Sequence, residues 1–330
     1  MQDFETLFNT IAGLKVAVIG DVMLDTYWWG RVDRISPEAP VPVVSLQTKE
    51  YRLGGAGNVA LNTIALHAPT YLFSVIGNDD DGQILLNILQ QQGINTGGII
   101  KSGQRITTNK TRIISRNQQM MRLDAEITTD IAASEEAELI TAFATFVNNT
   151  KPDIVIFEDY NKGVLTPGLI QAVIALCRQH GIITAVDPKR NNFFAYNSVD
   201  IFKPNLKEVK EGLNLPLPDI TLSSLMEVNE LLHQKLQHSI SLITLSEKGV
   251  FVQQGQHARI IPAHLRNITD VSGAGDTVIA VASLVYAATR DIALSASMAN
   301  LAGGLVCEEV GTVAINAASL LQECRIVQLM

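Results

Sequence analysis

The chain has 330 residues, 47% of them hydrophobic, and carries a formal net charge of −8. That size and composition suit one large domain with a substantial core, and scattered Lys and Arg in an acidic chain argue against a nucleic-acid surface. No run of about 18 apolar residues is present to cross a membrane. The acidic start Met1-Gln2-Asp3-Phe4-Glu5 lacks the basic-then-apolar layout of a signal peptide. Cys177, Cys307 and Cys324 are odd in number and lack metal-ligand spacing, which points to reduced thiols and a cytoplasmic location. The histidines form no His-x-x-x-His or His-x-Gly-His pattern, so no zinc site is expected.

Apolar runs of strand length alternate with stretches of helical period, the pattern of an α/β domain with a mostly parallel central sheet flanked by helices. In chain order, strands are expected at Lys15–Ile19, Tyr71–Ile76, Asp153–Phe157, Ile182–Val186, Asp200–Phe202 and Ser241–Leu245. Helices are expected at Ala56–His67, Gly82–Gln92, Ser134–Asn148, Thr166–His180, Leu222–Gln237, Ala274–Thr289 and Ile292–Glu309. Two segments break this alternation. Residues 27–52 are rich in Val, Trp and Pro, with Pro37, Pro40 and Pro42 forbidding helix. Residues 107–123 alternate without a helical period. Both are read as antiparallel strands outside the main sheet, a small lid on a single domain spanning 1–330.

Polar residues follow the expected strands with regularity: Gly20-Asp21, Glu158-Asp159, Asp187-Pro188-Lys189, Lys203-Pro204-Asn205 and Ser246-Glu247-Lys248-Gly249. In open α/β sheets the carboxyl edge of the strands is where ligands bind, so the site is mapped by topology alone. The richest chemistry lies in Asp270-Val271-Ser272-Gly273-Ala274-Gly275-Asp276-Thr277, ahead of an apolar helix. Glycines there let backbone N–H groups approach an anion at a helix start. A carboxylate in the same turn can take a proton from a nucleophile, which with positioning and charge neutralisation is most of what phosphoryl transfer needs. The plainer alternative is a carboxylate favoured by the helix dipole. Gly55-x-Gly57-x-x-Ala60 loosely fits a dinucleotide fingerprint, but it follows polar Lys49-Glu50-Tyr51-Arg52 rather than a first buried strand. Gly-Lys never occurs, which excludes a Walker-type loop.

The Asp270–Thr277 phrase resembles the C-terminal signature of ribokinase-like (PfkB) carbohydrate kinases, which implies that fold, ATP and Mg²⁺. The resemblance makes Asp276 the catalytic base and the backbone of Gly273, Ala274 and Gly275 the anion hole. Gly54-Gly55-Ala56-Gly57-Asn58 resembles the family's sugar-binding turn, with Asn58 reaching sugar hydroxyls, and Asp25 matches an early sugar-binding Asp. The Asn205-Leu206-Lys207-Glu208 phrase resembles the segment near the ATP phosphates, with Glu208 meeting Mg²⁺ through water. A capping box gives the same spacing to Asn205 and Glu208. Ser246, Lys248 and Gly249 resemble the loop bordering the nucleotide phosphates, Asn300 is placed near adenine, and Lys189 is placed to offset developing charge.

Further phrases resemble one branch, the heptose-phosphate kinases of lipopolysaccharide precursor synthesis: Arg34–Val43, Ser115-Arg116-Asn117-Gln118-Gln119 and Asp159-Tyr160-Asn161-Lys162-Gly163. The implied reaction moves a phosphoryl group from ATP to the anomeric hydroxyl of D-glycero-D-manno-heptose 7-phosphate. Relatives of this branch often carry an adenylyltransferase with a His-x-Gly-His motif, absent here, so a stand-alone kinase is expected. A sugar phosphate needs a second cationic pocket, for which Arg116 and Lys162 are the candidates beside Asp159. Surface arginines that merely pair with nearby acids are the alternative. A homodimer through the lid is expected by resemblance. Rival readings are a kinase for another sugar and, from another class, a non-catalytic sugar-phosphate sensor. A sensor has no use for Asp276.

Overall fold

The computed structural model describes residues 3–116, 118–215 and 220–327. From the amino terminus the chain forms α1 (Phe4–Ala12), β1 (Val16–Gly20), β2 (Val22–Ile35), β3 (Pro42–Gly55), α2 (Ala56–Ala65), β4 (Thr70–Gly77), α3 (Asp80–Gln91) and β5 (Asn95–Ser102). It continues through β6 (Asn109–Ser115), β7 (Gln118–Ala125), α4 (Ala133–Thr150), β8 (Ile154–Glu158), α5 (Pro167–His180), β9 (Ile183–Asp187) and β10 (Ile201–Phe202). The last third holds α6 (Leu206–Leu213), α7 (Leu222–Leu236), β11 (Ile240–Thr244), β12 (Val250–Gln254), β13 (His257–Ile261), α8 (Ala274–Thr289), α9 (Ile292–Val306) and α10 (Ala317–Val327).

The main sheet has the order β13-β12-β11-β10-β9-β8-β1-β4-β5. Its strands are parallel from β5 to β11, and β12 and β13 close one edge as antiparallel hairpins. Strands β1, β8 and β9 are buried along their whole length, as a parallel strand covered on both faces must be. Alternation splits β1 between two cores: Val16 and Val18 face one with α2, α8 and α9, while Ala17 and Ile19 face the other with α4, α5 and α7. Helix α8 is buried continuously from Asp276 to Tyr286, so it runs through the core and delivers its first turn to the strand ends.

The lid is a second sheet of order β3-β2-β6-β7. The expected all-antiparallel lid is corrected here. β2 pairs antiparallel with β3, β6 antiparallel with β7, but β2 and β6 run parallel, because β4, α3 and β5 intervene and return the chain in the same direction. Strand β2 also begins at Val22 rather than near residue 27, which makes Asp25 a lid residue. Asn117, in the expected substrate phrase, lies outside the described residues.

Candidate active site

The site sits at the β1/β8 junction, where the chain leaves β1 for β4 and β5 on one side and builds β8 onward on the other. That reversal opens a crevice at the carboxyl ends of the strands. Into it comes α8. Asp270 accepts hydrogen bonds from the Ser272 amide (3.0 Å) and hydroxyl (2.8 Å) with one oxygen and from the Gly311 amide (2.9 Å) with the other. This Asx-type turn sends the chain into Gly273, whose φ of 78° is left-handed and favours glycine. Among the described residues the amides of Gly273 and Gly275 have no protein acceptor, whereas the Ala274 amide donates to the Val271 carbonyl at 3.3 Å. Among the described residues the free amides of the helix start are thus those of Gly273, Gly275 and Asp276, while Ala274 of the expected anion hole makes one long turn hydrogen bond.

Asp276 stands in the first turn, buried, with each carboxylate oxygen held by one donor: Asn58 Nδ2 at 2.7 Å and the Tyr160 hydroxyl at 2.8 Å. Burial pushes its pKa up to about 6, against the lowering effect of those two hydrogen bonds. A carboxylate poised near neutrality and fixed in direction suits a general base. Tyr160 itself is set by Asp21, whose buried carboxylate accepts from the amides of Tyr160 (2.8 Å), Lys162 (3.0 Å) and Val164 (3.1 Å).

Beneath Asp276 lies a layer of acids and lysines. Asp187 binds Lys203 at 2.6 Å and Lys189 at 3.0 Å, and Lys189 reaches Glu208 at 2.8 Å. Burial works against ionisation of Asp187, but the two ammonium groups more than offset it and its pKa falls. Glu158, at the end of β8, is fully buried, and among the described residues neither carboxylate oxygen has a hydrogen-bond partner. Burial, then Asp187 and Asp276, raise its pKa well above the ordinary value. Glu158, Asp187 and Asp276 bring one oxygen each within 4.8 Å of one another. Four carboxyl groups (Glu158, Asp187, Glu208, Asp276) stand beside two lysines, an oxygen donor set that fits a hard divalent cation.

On the other side, Asp25 binds Arg112 Nη1 at 2.6 Å and accepts from the Thr312 hydroxyl at 3.3 Å. Gly54 lets this carboxylate in, since a Cβ there would lie 2.6 Å from Asp25 Oδ2. Gly55 takes φ 57° to turn from β3 into α2, so that Asn58 rises into the crevice. Asp25, Gly54, Gly55, Asn58, Gly273, Gly275 and Asp276 thus converge.

Other candidates are placed elsewhere. Arg116 is at the lid tip, its side chain 73% exposed and 3.9 Å from Asp33. It is six residues beyond Lys110 along β6, about 20 Å at strand rise. Asp159 accepts from the Tyr196 hydroxyl (2.7 Å), the Asn161 amide (2.8 Å) and Asn192 (3.3 Å), so it fastens the loop beneath the site. Leu206 packs into the core, and Lys207 is an exposed helix residue 3.8 Å from Glu211. Asn205 and Glu208 form the reciprocal capping box, and the other oxygen of Glu208 binds Lys189 at 2.8 Å. Ser246 and Lys248 are exposed in the turn after β11, with Gly249 at φ 93° behind them, an open border suited to a polyphosphate. Asn300 donates to the Pro262 carbonyl at 2.8 Å and pins the loop after β13. Residues that sequence reasoning did not assign are Tyr160, Arg112, Lys110, Thr312 and Lys203. Tyr160 stood in a quoted phrase and Arg112 within the expected lid segment 107–123, whereas nothing local marks Thr312.

A parallel sheet with a β lid, a glycine-opened helix start and a buried carboxylate at the strand ends define a ribokinase-like phosphotransferase. Residues 14–318 match the pfkB family carbohydrate kinases, and the chain belongs to that family. It is 38% identical over 322 residues to the bifunctional protein HldE of Geobacter metallireducens, covering 97% of this chain and 65% of the relative. Identity to bifunctional protein HldE of Magnetococcus marinus is 41% over 311 residues, covering 92% and 63%. The chain thus spans slightly less than two thirds of the curated relatives it matches. Among solved structures, phosphofructokinase-2 from Escherichia coli in complex with potassium superposes with a TM-score of 0.79 at 14% identity, covering 95% of this chain and 99% of that one. Arabidopsis thaliana ribokinase complexed with ribose and ATP gives 0.72 at 17% identity, covering 94% and 99%.

Proposed function

We propose that this carbohydrate kinase phosphorylates D-glycero-D-manno-heptose 7-phosphate at the anomeric hydroxyl, using ATP, and that it works in the cytoplasm. The reading is carried by one observation above others: the buried Asp276 carboxylate, fixed by Asn58 and Tyr160 beside the free Gly273 and Gly275 amides. Similarity to HldE proteins over nearly the whole chain supports the heptose branch. The sugar docks under the lid against Asp25, and Asp276 accepts the hydroxyl proton as that oxygen attacks the γ-phosphorus. The glycine amides and Lys189 meet the charge that develops on the transferring group. Mg²⁺ would be held by Glu158, Asp187 and Glu208, directly or through water, and would neutralise nucleotide phosphate charge. The test is ADP release with the heptose 7-phosphate beside fructose 6-phosphate, ribose and buffer. Turnover confined to the heptose phosphate is expected; preference for another acceptor would discard the branch and keep the kinase.

The lid also leaves Ile35, Leu46, Met121 and Leu123 more than two fifths exposed on a two-edged sheet. Such a face calls for a partner, and we assign it to a second copy of the chain. Analytical ultracentrifugation is expected to give a dimer that Leu123→Asp converts to monomer. A monomeric wild type would sink the assignment.

A further inference from the structure

Lys110, on β6 opposite Asp25 of β2, is half-buried. Its ammonium group makes no ion pair or hydrogen bond among the described residues and rests 5.2 Å from the centre of the Tyr160 ring. The hydroxyl of that same tyrosine touches the base. Charges around Lys110 are otherwise matched. Asp25 is taken by Arg112 at 2.6 Å, Asp124 by Arg122 at 2.8 Å and Glu126 by Lys162 at 2.7 Å. Three acids thus have three cations of their own, and Lys110 is the fourth cation, one positive charge in surplus. Burial, reinforced by the neighbouring Lys162, holds its pKa below the ordinary lysine value. A half-buried lysine without a carboxylate is costly to keep. A bound anion would relieve it.

A second orphan lies beside it. Glu126 gives one oxygen to Lys162, but its other oxygen, Oε2, is buried and has no hydrogen-bond partner among the described residues. It is an acceptor waiting for a hydroxyl. We infer that Lys110 and Lys162, with Glu126, form the seat for a phosphate carried at the far end of the sugar, Glu126 taking a hydroxyl near it. This rests on reading the substrate as a sugar phosphate; it keeps Lys162 of the expected pocket and puts Lys110, at the foot of the lid, in place of Arg116 at its exposed tip. Lys110 rests on the ring whose hydroxyl meets Asp276, so the ring stands between the seat and the reacting carbon, as suits a phosphate at the other end of the carbon chain. The lysines then provide charge-assisted contacts that discriminate a sugar phosphate from the plain sugar.

Titration calorimetry tests this on the full chain with heptose 7-phosphate and fructose 6-phosphate, each beside its dephosphorylated sugar. The wild type is expected to prefer the phosphorylated partner of each pair that binds. Lys110→Met is expected to cut that preference ten- to hundredfold, Lys110→Arg to restore most of it, and Arg116→Ala to leave it within about twofold. A wild type that prefers plain sugars, a preference that survives Lys110→Met, or one that Arg116→Ala abolishes would each overturn the inference. A wild type that favours the hexose phosphate while keeping the Lys110 dependence would reject the heptose branch and still support the seat.

Discussion

Asp276→Asn is expected to fold and to lose roughly a thousandfold in kcat, within the 10²–10⁴ that a positioned base contributes. Folding survives because the asparagine oxygen can accept from Asn58 while its NH₂ donates to the Tyr160 hydroxyl, which can rotate to accept. Wild-type turnover is expected to fall as pH drops through about 6, where the buried carboxylate takes up its proton. Stability carries the opposite sign. The folded pKa of about 6 lies above the unfolded 3.8, so the native state binds this proton more tightly. Its contribution is fully present below pH 3.8 and is lost as pH rises through 6, a cost of about 3 kcal/mol at most. Asp276→Asn has no such titration and should gain stability relative to wild type across that window. Initial rates from pH 5 to 8 and urea melts at both ends check both claims. A variant retaining a tenth of wild-type kcat, or a rate flat from pH 5 to 8, removes Asp276 as the base.

Gly273→Ala tests the anchor of that base. The φ of 78° already disfavours a side chain, by about 1–2 kcal/mol. The new Cβ would also lie 2.7 Å from Asn58 Nδ2, the atom that holds Asp276. Displacing Asn58 frees the carboxylate to swing, and a displacement of about 1 Å in a reacting group costs on the order of 10²-fold in rate. Gly93→Ala is the control. Its φ of 77° carries the same backbone strain, yet nothing lies within 4 Å of its Cβ. Both variants should lose similar backbone stability in thermal melts, and Gly273→Ala alone should lose about a hundredfold in kcat. Equal kinetic losses, or none, would mean that Asn58 does not fix the base.

How much of this was legible in the sequence depends on the range over which each feature is determined. The expected helix Ala274–Thr289 matches α8 end to end, because its start is written locally in Gly273 and its body is apolar all round. The expected strands Asp153–Phe157 and Ile182–Val186 lie within a residue of β8 and β9 for the same reason: short, continuous, β-branched runs between polar ends. β5 was not expected, since Gly97 and Gly98 dilute its pattern. Gly98 is there because a Cβ would strike the ring of Phe73 on β4, a reason that exists only once the two strands are paired. β12 and β13 were likewise missed, their Gln-rich edge reading as loop.

The site divides along the same line. Asp276, its glycines and Asp25 were readable because close backbone approach needs glycine and proton transfer needs a carboxylate, whatever surrounds them. The contacts of Asp159 and Arg116 were not legible, because their partners, Tyr196 and Asp33, come from segments 37 and 83 residues away. Sequence by itself determined the α/β class, fixed by local periodicity, and singled out the carboxyl edge and Asp276 as candidates through the chemistry of single residues. Only the tertiary structure decided which donors hold the base, that β2 and β6 run parallel, and that Lys110 is the cation left over. Each of these depends on pairing between residues distant in the chain. A charge is in surplus, or a carboxylate orphaned, only relative to neighbours that folding alone supplies.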